Sequence, residues 1–183
     1  MRLFTAIDLS AEMLLRLERL LSTLRPEALI KWSPLDNLHI TTKFIGEWPE
    51  ERLSELQAAL AAVPSRKAIE VHVHDLGFFP NAKSPRNFWC GIDAPGLAEL
   101  AADTDAATSA LGIDSEKRKY SPHLTLARIK ERPDLSRLHH AIEREATFHF
   151  GSFAARSFYL YRSQLKPTGS VYTKLAEFPL THK

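Results

Sequence analysis

The sequence predicts an α+β protein of two pseudo-symmetric lobes, mostly antiparallel sheet with helices outside. Three observations carry this expectation. A chain of 183 residues with 44% hydrophobic and 25% charged residues buries roughly 70% of its unfolded surface on folding, so no disulfide or metal staple is required. Helical stripes alternate with short β-favouring runs. The order strand, helix, strand, helix, strand then occurs twice, with no linker between the repeats, so residues 1–183 read as a single two-lobed domain.

In the first half, Leu3, Phe4, Ala6 and Ile7 form an apolar strand, and Ser10 caps a helix that carries Leu14, Leu17, Leu21 and Leu24. Pro26 ends that helix. A strand around Leu29 to Trp32 leads through a turn at Ser33 to Asn37 into a mixed strand, Leu38 to Ile45. Pro49 opens a second helix with Leu53, Leu56, Leu60 and Val63 on one stripe, and Ile69 to Phe79 alternates apolar with polar residues. Pro80 to Arg86 is a loop.

The second half predicts a strand at Phe88 to Ile92 and a helix opened by Pro95, with Leu97, Leu100, Thr104, Ala107 and Leu111 inward, closed by Gly112. A mixed strand follows from Pro122 to Ile129. Pro133 and Asp134 start a helix bearing Leu135, Leu138 and Ile142, and strands are expected near Thr147 to Phe150, Phe158 to Leu165 and Val171 to Phe178.

Several function classes are disfavoured by what the chain contains. Cys90 is its single cysteine, which rules out an internal disulfide framework and a Cys-based zinc site, and points to a reducing compartment. Asp8 and Glu12 interrupt the opening stretch and no apolar run of about 18 residues follows, so a cytoplasmic protein is expected. The net charge of +2 permits an anionic ligand without supplying the basic stripe of a duplex-binding protein.

The informative feature is a cassette that recurs at the same place in each half, Leu38-His39-Ile40-Thr41-Thr42 and Pro122-His123-Leu124-Thr125-Leu126. On a strand, side chains two apart share a face, so each cassette offers an imidazole beside a hydroxyl. Chance gives about half of one His-x-Thr match in a chain of this composition, so one cassette would mean little. Two at matching places mean more, although spacing alone also allows each histidine to be a satisfied half-buried residue. In-line cleavage of a phosphodiester needs a base for the attacking oxygen, an acid for the leaving oxygen and donors for the non-bridging oxygens. Two imidazoles and two threonine hydroxyls supply that set without a metal, and spacing does not say which histidine is acid and which is base.

With these residues the chain resembles the two-histidine (2H) phosphoesterase superfamily, and within it the RNA 2′,3′-cyclic phosphodiesterases, long called 2′-5′ RNA ligases. The similarity extends over Met1-Arg2-Leu3-Phe4-Thr5-Ala6-Ile7-Asp8-Leu9, Asn37 to Gly46, Pro85-Arg86-Asn87-Phe88-Trp89, Ser121 to Arg128, and the ending from Leu160-Tyr161-Arg162-Ser163 to Phe178-Pro179-Leu180. The resemblance implies hydrolysis of a 2′,3′-cyclic phosphate at an RNA end to a 2′-phosphomonoester, with no cofactor. It also implies reversible 2′-5′ ligation when an RNA 5′-hydroxyl replaces water. It assigns His39 as proton donor to the leaving 3′ oxygen, His123 as proton acceptor from water, and Thr41 and Thr125 as phosphate ligands. The partners it implies are RNA with a cyclic phosphate end or cyclic nucleotides, with no membrane and no obligate protein partner, and a complete site in one chain favours a monomer. Thr42 departs from the family, which commonly has an apolar residue there; by parity it faces away from the site. Arg128 matches an arginine that the family retains near the phosphate, yet five positions after His123 it falls on the opposite face unless a bulge turns it inward.

Other residues carry weaker signals. His72, His74 and Asp75 suggest a metal site only weakly, since no further ligands stand at a defined spacing and a polar strand face explains them. His139 and His140 are adjacent on a helix and make poor co-ligands, and His149 and His182 lack partners. Phe44, Phe79, Trp89 and Tyr120 are candidates to stack on a base; Tyr120, after Glu116-Lys117-Arg118-Lys119, is the one expected to be exposed. A non-catalytic RNA-end binder is the alternative function, and it does not need a matched acid and base. An acyl-transfer hydrolase lacks Gly-x-Ser-x-Gly, and Cys90 lies in an apolar strand.

Overall fold

A computed structural model describes residues 1–181, so His182 lies outside the described residues. Among these residues, nine strands and four helices follow one another as β1 (Arg2–Ile7), α1 (Ala11–Leu24), β2 (Lys31–Trp32), β3 (Ile40–Glu47), α2 (Leu53–Ala61), β4 (Ile69–Phe79) and β5 (Asn87–Asp93), then α3 (Leu97–Ser109), β6 (His123–Arg128), α4 (Ser136–Glu143), β7 (His149–Ala155), β8 (Ser157–Lys166) and β9 (Gly169–Pro179). The local signals act as expected at most ends. Ser10 Oγ accepts from the Met13 amide at 3.1 Å and starts α1, whose stripe of Met13, Leu17, Leu20, Leu21 and Leu24 is buried. Gly96, at φ 95°, is the residue from which α3 departs. Asp134 accepts from the Ser136 amide at 2.9 Å ahead of α4.

Boundaries shift where packing overrides propensity. The strand expected from Leu29 shrinks to Lys31–Trp32, and Leu29 itself is fully exposed. Pro49 opens a 3-10 turn, Glu50–Arg52, and the α-helix begins only at Leu53. The strand expected at Thr147 to Phe150 is instead seven residues, His149–Ala155, because it pairs along β4 from Ile69 to His74.

The strands form two antiparallel sheets, β3-β1-β8-β9 and β2-β6-β5-β4-β7. The two lobes of the α+β fold are therefore these sheets, and each draws on both halves of the sequence. β1 lies between β3 of its own half and β8 of the other; β5 lies between β6 of its own half and β4 of the other. The helices cross over in the same way: α1, which follows β1, packs against β7 of the second sheet, while α3, which follows β5, packs against β3 of the first. The cassette histidines stand 37 residues after Arg2 and 36 after Asn87, the first residues of β1 and β5. Sequence order thus shows the repeat but hides the exchange.

Close approach fixes one glycine. The Trp89 indole lies across Gly77, its cross-strand neighbour, so a Cβ on Gly77 would meet a ring carbon at 2.2 Å. Trp89 therefore packs on its own sheet. Gly77→Ala is expected to lower stability by about 1–3 kcal/mol, as overpacking does when an indole must move; a shift of the urea midpoint at unchanged slope would register it.

Candidate active site

The two cassettes line one cleft of about 1060 Å³ between the sheets, at the upper end of the size of small-ligand sites. His39 follows a 3-10 turn at Leu35–Asn37 and immediately precedes β3; His123 is the first residue of β6. Their rings are held alike. Nδ1 of His39 lies 2.7 Å from the Asn37 carbonyl oxygen and Nδ1 of His123 lies 3.0 Å from the Ser121 carbonyl oxygen, each two residues upstream. A carbonyl only accepts, so Nδ1 carries the proton in both rings and Nε2 is left as the reactive nitrogen. Nε2 of His39 is 3.0 Å from Thr41 Oγ1. In the neutral ring this bond is donated by the hydroxyl.

A bulge follows each cassette at the same offset. In the β1–β3 ladder Thr41 pairs with Ala6 and Lys43 with Thr5, leaving Thr42 unpaired between them. In the β5–β6 ladder Thr125 pairs with Trp89 and Ala127 with Phe88, leaving Leu126 unpaired. An extra residue reverses the side-chain alternation beyond it. Thr42 and Lys43 are consequently both buried, as are Leu126 and Ala127, and the next residues, Phe44 and Arg128, come out exposed on the cleft side. This answers the parity objection to Arg128. The bulged backbone is bonded from the opposite sheet or its neighbours: Tyr120 Oη donates to the Thr41 carbonyl at 2.8 Å, and the Ser33 amide donates to the Leu126 carbonyl at 2.8 Å. Thr42 turns its hydroxyl to Thr5 Oγ1, 2.7 Å away inside the first sheet.

The surroundings of the two histidines differ. His39 is packed by Phe4 and Tyr172, with ring centroids at 4.8 and 5.2 Å, whereas His123 is exposed. Burial lowers the His39 pKa; the Asn37 carbonyl and Asp8 work against it, and the nearby charges of Arg128 and His123 add to the lowering. Behind Phe4, which stacks on Tyr161 at 5.3 Å, the Tyr161 hydroxyl and Lys174 both bond Asp8, the latter at 2.6 Å. Lys43, only 5% exposed, bridges the first sheet to α3 and to the segment before His123 through Asp105 Oδ1 at 2.6 Å and the Asp114 carbonyl at 2.7 Å. Burial works to raise the Asp105 pKa, but the bonds from Lys43 and the Glu116 amide outweigh it and leave it lowered.

Of the seven residues singled out from sequence, His39, His123, Thr41, Thr125, Arg128, Phe44 and Tyr120 all line this cleft. Tyr120 is not the exposed ring the preceding basic run suggested: it is half-buried, its hydroxyl is used on Thr41, and burial raises its pKa. Phe79 and Trp89 lie away from the cleft. Sequence reasoning missed Phe4, Lys31, Trp32, Asn37, Asn87 and Tyr172; for Asn37 and Ser121, the shared place two residues before each histidine was the available signal. Elsewhere, His149 does have a neighbour, His74, with ring centroids at 6.4 Å. Among the described residues no group of three or more His, Cys, Asp or Glu is placed to hold a metal ion. Cys90 is fully buried, and burial pushes its thiol up to about 12, which removes it as a nucleophile at neutral pH.

Comparisons with known proteins point to one family. Residues 7–89 and 92–172 match the family model described as LigT like Phosphoesterase. The RNA 2′,3′-cyclic phosphodiesterase of Methanocaldococcus jannaschii is 35% identical over 178 residues, covering 97% of this chain and 100% of the relative. That of Thermus thermophilus is 32% identical, covering 98% and 90%. Among solved structures, TT0787 of Thermus thermophilus superposes with a TM-score of 0.80 at 30% identity, covering 98% of both chains. E. coli LigT complexed with 3′-AMP gives 0.78 at 26% identity, covering 99% of this chain and 98% of that one.

The His39 environment has a titration consequence. In the free protein its midpoint is expected below the ordinary 6.5, and Arg128→Gln, which removes a neighbouring positive charge, should move it upward. Imidazole NMR titration reads both; an unshifted midpoint in the variant would separate Arg128 from His39.

Proposed function

The chain belongs to the LigT-like phosphoesterase family, and on that premise we propose that it hydrolyses 2′,3′-cyclic phosphate ends of RNA to 2′-phosphomonoesters with His39 as acid and His123 as base. The observation that carries the reading is the matched pair of imidazoles on one cleft, each with Nδ1 committed to a carbonyl and Nε2 left for the reaction. Water attacks phosphorus opposite the 3′ oxygen, and Nε2 of His123 takes the proton released. The bond from phosphorus to the 3′ oxygen breaks, and Nε2 of His39 delivers its proton to that oxygen. Thr41 and Thr125 donate to the non-bridging oxygens, with Arg128 beside them. Free His39 favours the neutral form; the negative phosphate, once bound, opposes that preference and supports the imidazolium that the acid role requires.

Substitution of an RNA 5′-hydroxyl for water would run the same chemistry towards a 2′-5′ linkage, with hydrolysis favoured by the concentration of water. Both cassettes come from one chain, so a monomer of residues 1–183 acting as one two-lobed domain holds a complete site, and no partner protein is required. No helix among the described residues is long and apolar enough to cross a membrane, and the lone Cys90 is in keeping with work in the cytoplasm. A non-catalytic RNA-end binder would need the threonines and Arg128 but gains nothing from two imidazoles each held through Nδ1 by a carbonyl two residues upstream.

An oligoribonucleotide ending in a 2′,3′-cyclic phosphate is the assay substrate. Turnover to the 2′-phosphate should survive EDTA, follow a bell-shaped pH profile, and fall by at least ~10²-fold in both His39→Ala and His123→Ala, the scale of a lost general acid or base. Retained binding without wild-type turnover would favour the binder instead, and turnover abolished by EDTA would make the reaction metal-dependent.

A further inference from the structure

The face of the second sheet that carries His123, Thr125 and Arg128 does not end at the cleft. Residues directly opposite one another on paired strands share a face. The ladders place Trp89 opposite Thr125, Gly77 opposite Trp89, and Phe79 opposite Asn87, itself opposite Arg128. Trp89 and Phe79 therefore stand on the cleft face, one and two strands beyond that of Thr125, at about 5 Å per strand. The corresponding places on the first sheet are Ala6 opposite Thr41, then Tyr159 and Tyr161 on β8. There the rings are in use: Lys174 lies 3.7 Å over the Tyr159 ring, while Tyr161 stacks on Phe4 and bonds Asp8. On the second sheet they are not. The Trp89 indole lies against Gly77, with a ring carbon 3.4 Å from where a Cβ on Gly91 would stand, and it stays half-exposed. Phe79 is 58% exposed. Neither ring pairs with another aromatic or a cation among the described residues.

Charge separates the two ends of this face. At one end the Arg86 amide donates to the Phe79 carbonyl at 2.7 Å, and Lys83 belongs to the same loop. Both side chains are exposed and take part in no ion pair among the described residues. At the other end stands Asp93, opposite His72. A polyanion leaving the cleft is therefore drawn towards Phe79 and away from Asp93. We propose that Trp89 and Phe79 are a stacking platform for the nucleotides upstream of the cyclic phosphate, with Arg86 on the backbone beside them. The preferred substrate is then the end of an RNA chain and not a free cyclic mononucleotide. Uncovered rings in succession on a sheet face suit unpaired bases, and since every base has a π-face the platform accepts any sequence. Continuity with the cleft and the unpaired cations select a nucleic acid strand as the occupant over an apolar partner. The inference rests on the phosphodiesterase reading above and extends it beyond the terminal nucleotide.

The test compares kcat/KM for an oligoribonucleotide with a 2′,3′-cyclic phosphate end against that for 2′,3′-cyclic AMP, in wild type, Phe79→Ala and Trp89→Ala. Wild type should prefer the oligonucleotide. Each variant should reduce that preference about 5-fold or more, chiefly through KM, the scale of one lost base–aromatic stack. Trp89→Phe, which keeps a ring, should retain most of it. Should Trp89→Ala fail to fold, Phe79→Ala decides, since that ring is already mostly in solvent. A second measurement places 2-aminopurine at the penultimate position, with His39→Ala and His123→Ala present to keep the substrate intact. Its fluorescence should be quenched on binding, and Phe79→Ala and Trp89→Ala together should remove most of that quenching. No wild-type preference, an equal loss on both substrates, a preference unchanged in the variants, or quenching that persists without either ring overturns the platform and leaves the phosphodiesterase reading in place. Absence of wild-type turnover on both substrates overturns both.

Discussion

β1 and β5 are each hydrogen-bonded on both sides, to the cassette strand of their own half and to a strand of the other half. Everything about the cleft follows from that constraint. Neither sheet closes with residues from one half alone, so both cassettes are positioned only when the whole ladder forms. The crossed helices reinforce it, since α1 and α3 each cover the sheet that their preceding strand does not belong to. A reaction that needs two imidazoles from distant parts of the chain gains a rigid frame for both, in which central strands position side chains with little freedom.

Charge shows how this frame supports an anion site in a protein whose net charge is only +2. Lys43 is spent internally on Asp105 and the Asp114 carbonyl, and Lys174 on Asp8. The first of these joins a buried Lys43 to a partly exposed Asp105, and it secures the first sheet to the segment leading to His123. Arg2, Lys31, Arg118, Lys119 and Arg128 line the cleft without an ion pair among the described residues. Local field, rather than total charge, is what an approaching phosphate meets.

The α+β class, the cassette pair and most helices were legible because they depend on short-range regularities: period 2 for the strands, a leucine stripe for α1, a serine cap at Ser10. Thr41 and Thr125 followed from parity alone. Arg128 and Phe44 did not, because a bulge is decided by which residues of the neighbouring strand pair, and nothing within Leu124 to Arg128 announces it. Tyr120 was misjudged for the same reason: the charged run before it is local, while the Thr41 carbonyl that takes its hydroxyl lies 79 positions away. The exchange of strands between halves is likewise invisible in a string, since β4 reads identically whichever sheet receives it. Phe4 and Tyr172 lie on strands that the pattern predicts, but nothing local shows that what they pack is His39.

Because Phe44 and Arg128 reach the cleft only through one unpaired residue on each strand, part of the site is stored as a count and not as an identity. Shortening either cassette strand by the single residue in its bulge would leave both histidines, Thr41, Thr125, Phe44 and Arg128 in the sequence and restore regular pairing at that point of the ladder. The residue beyond would then rotate to the other face. For this cleft, a one-residue deletion at Thr42 or Leu126 is therefore a change of content as complete as replacing Phe44 or Arg128, though no functional side chain has been altered.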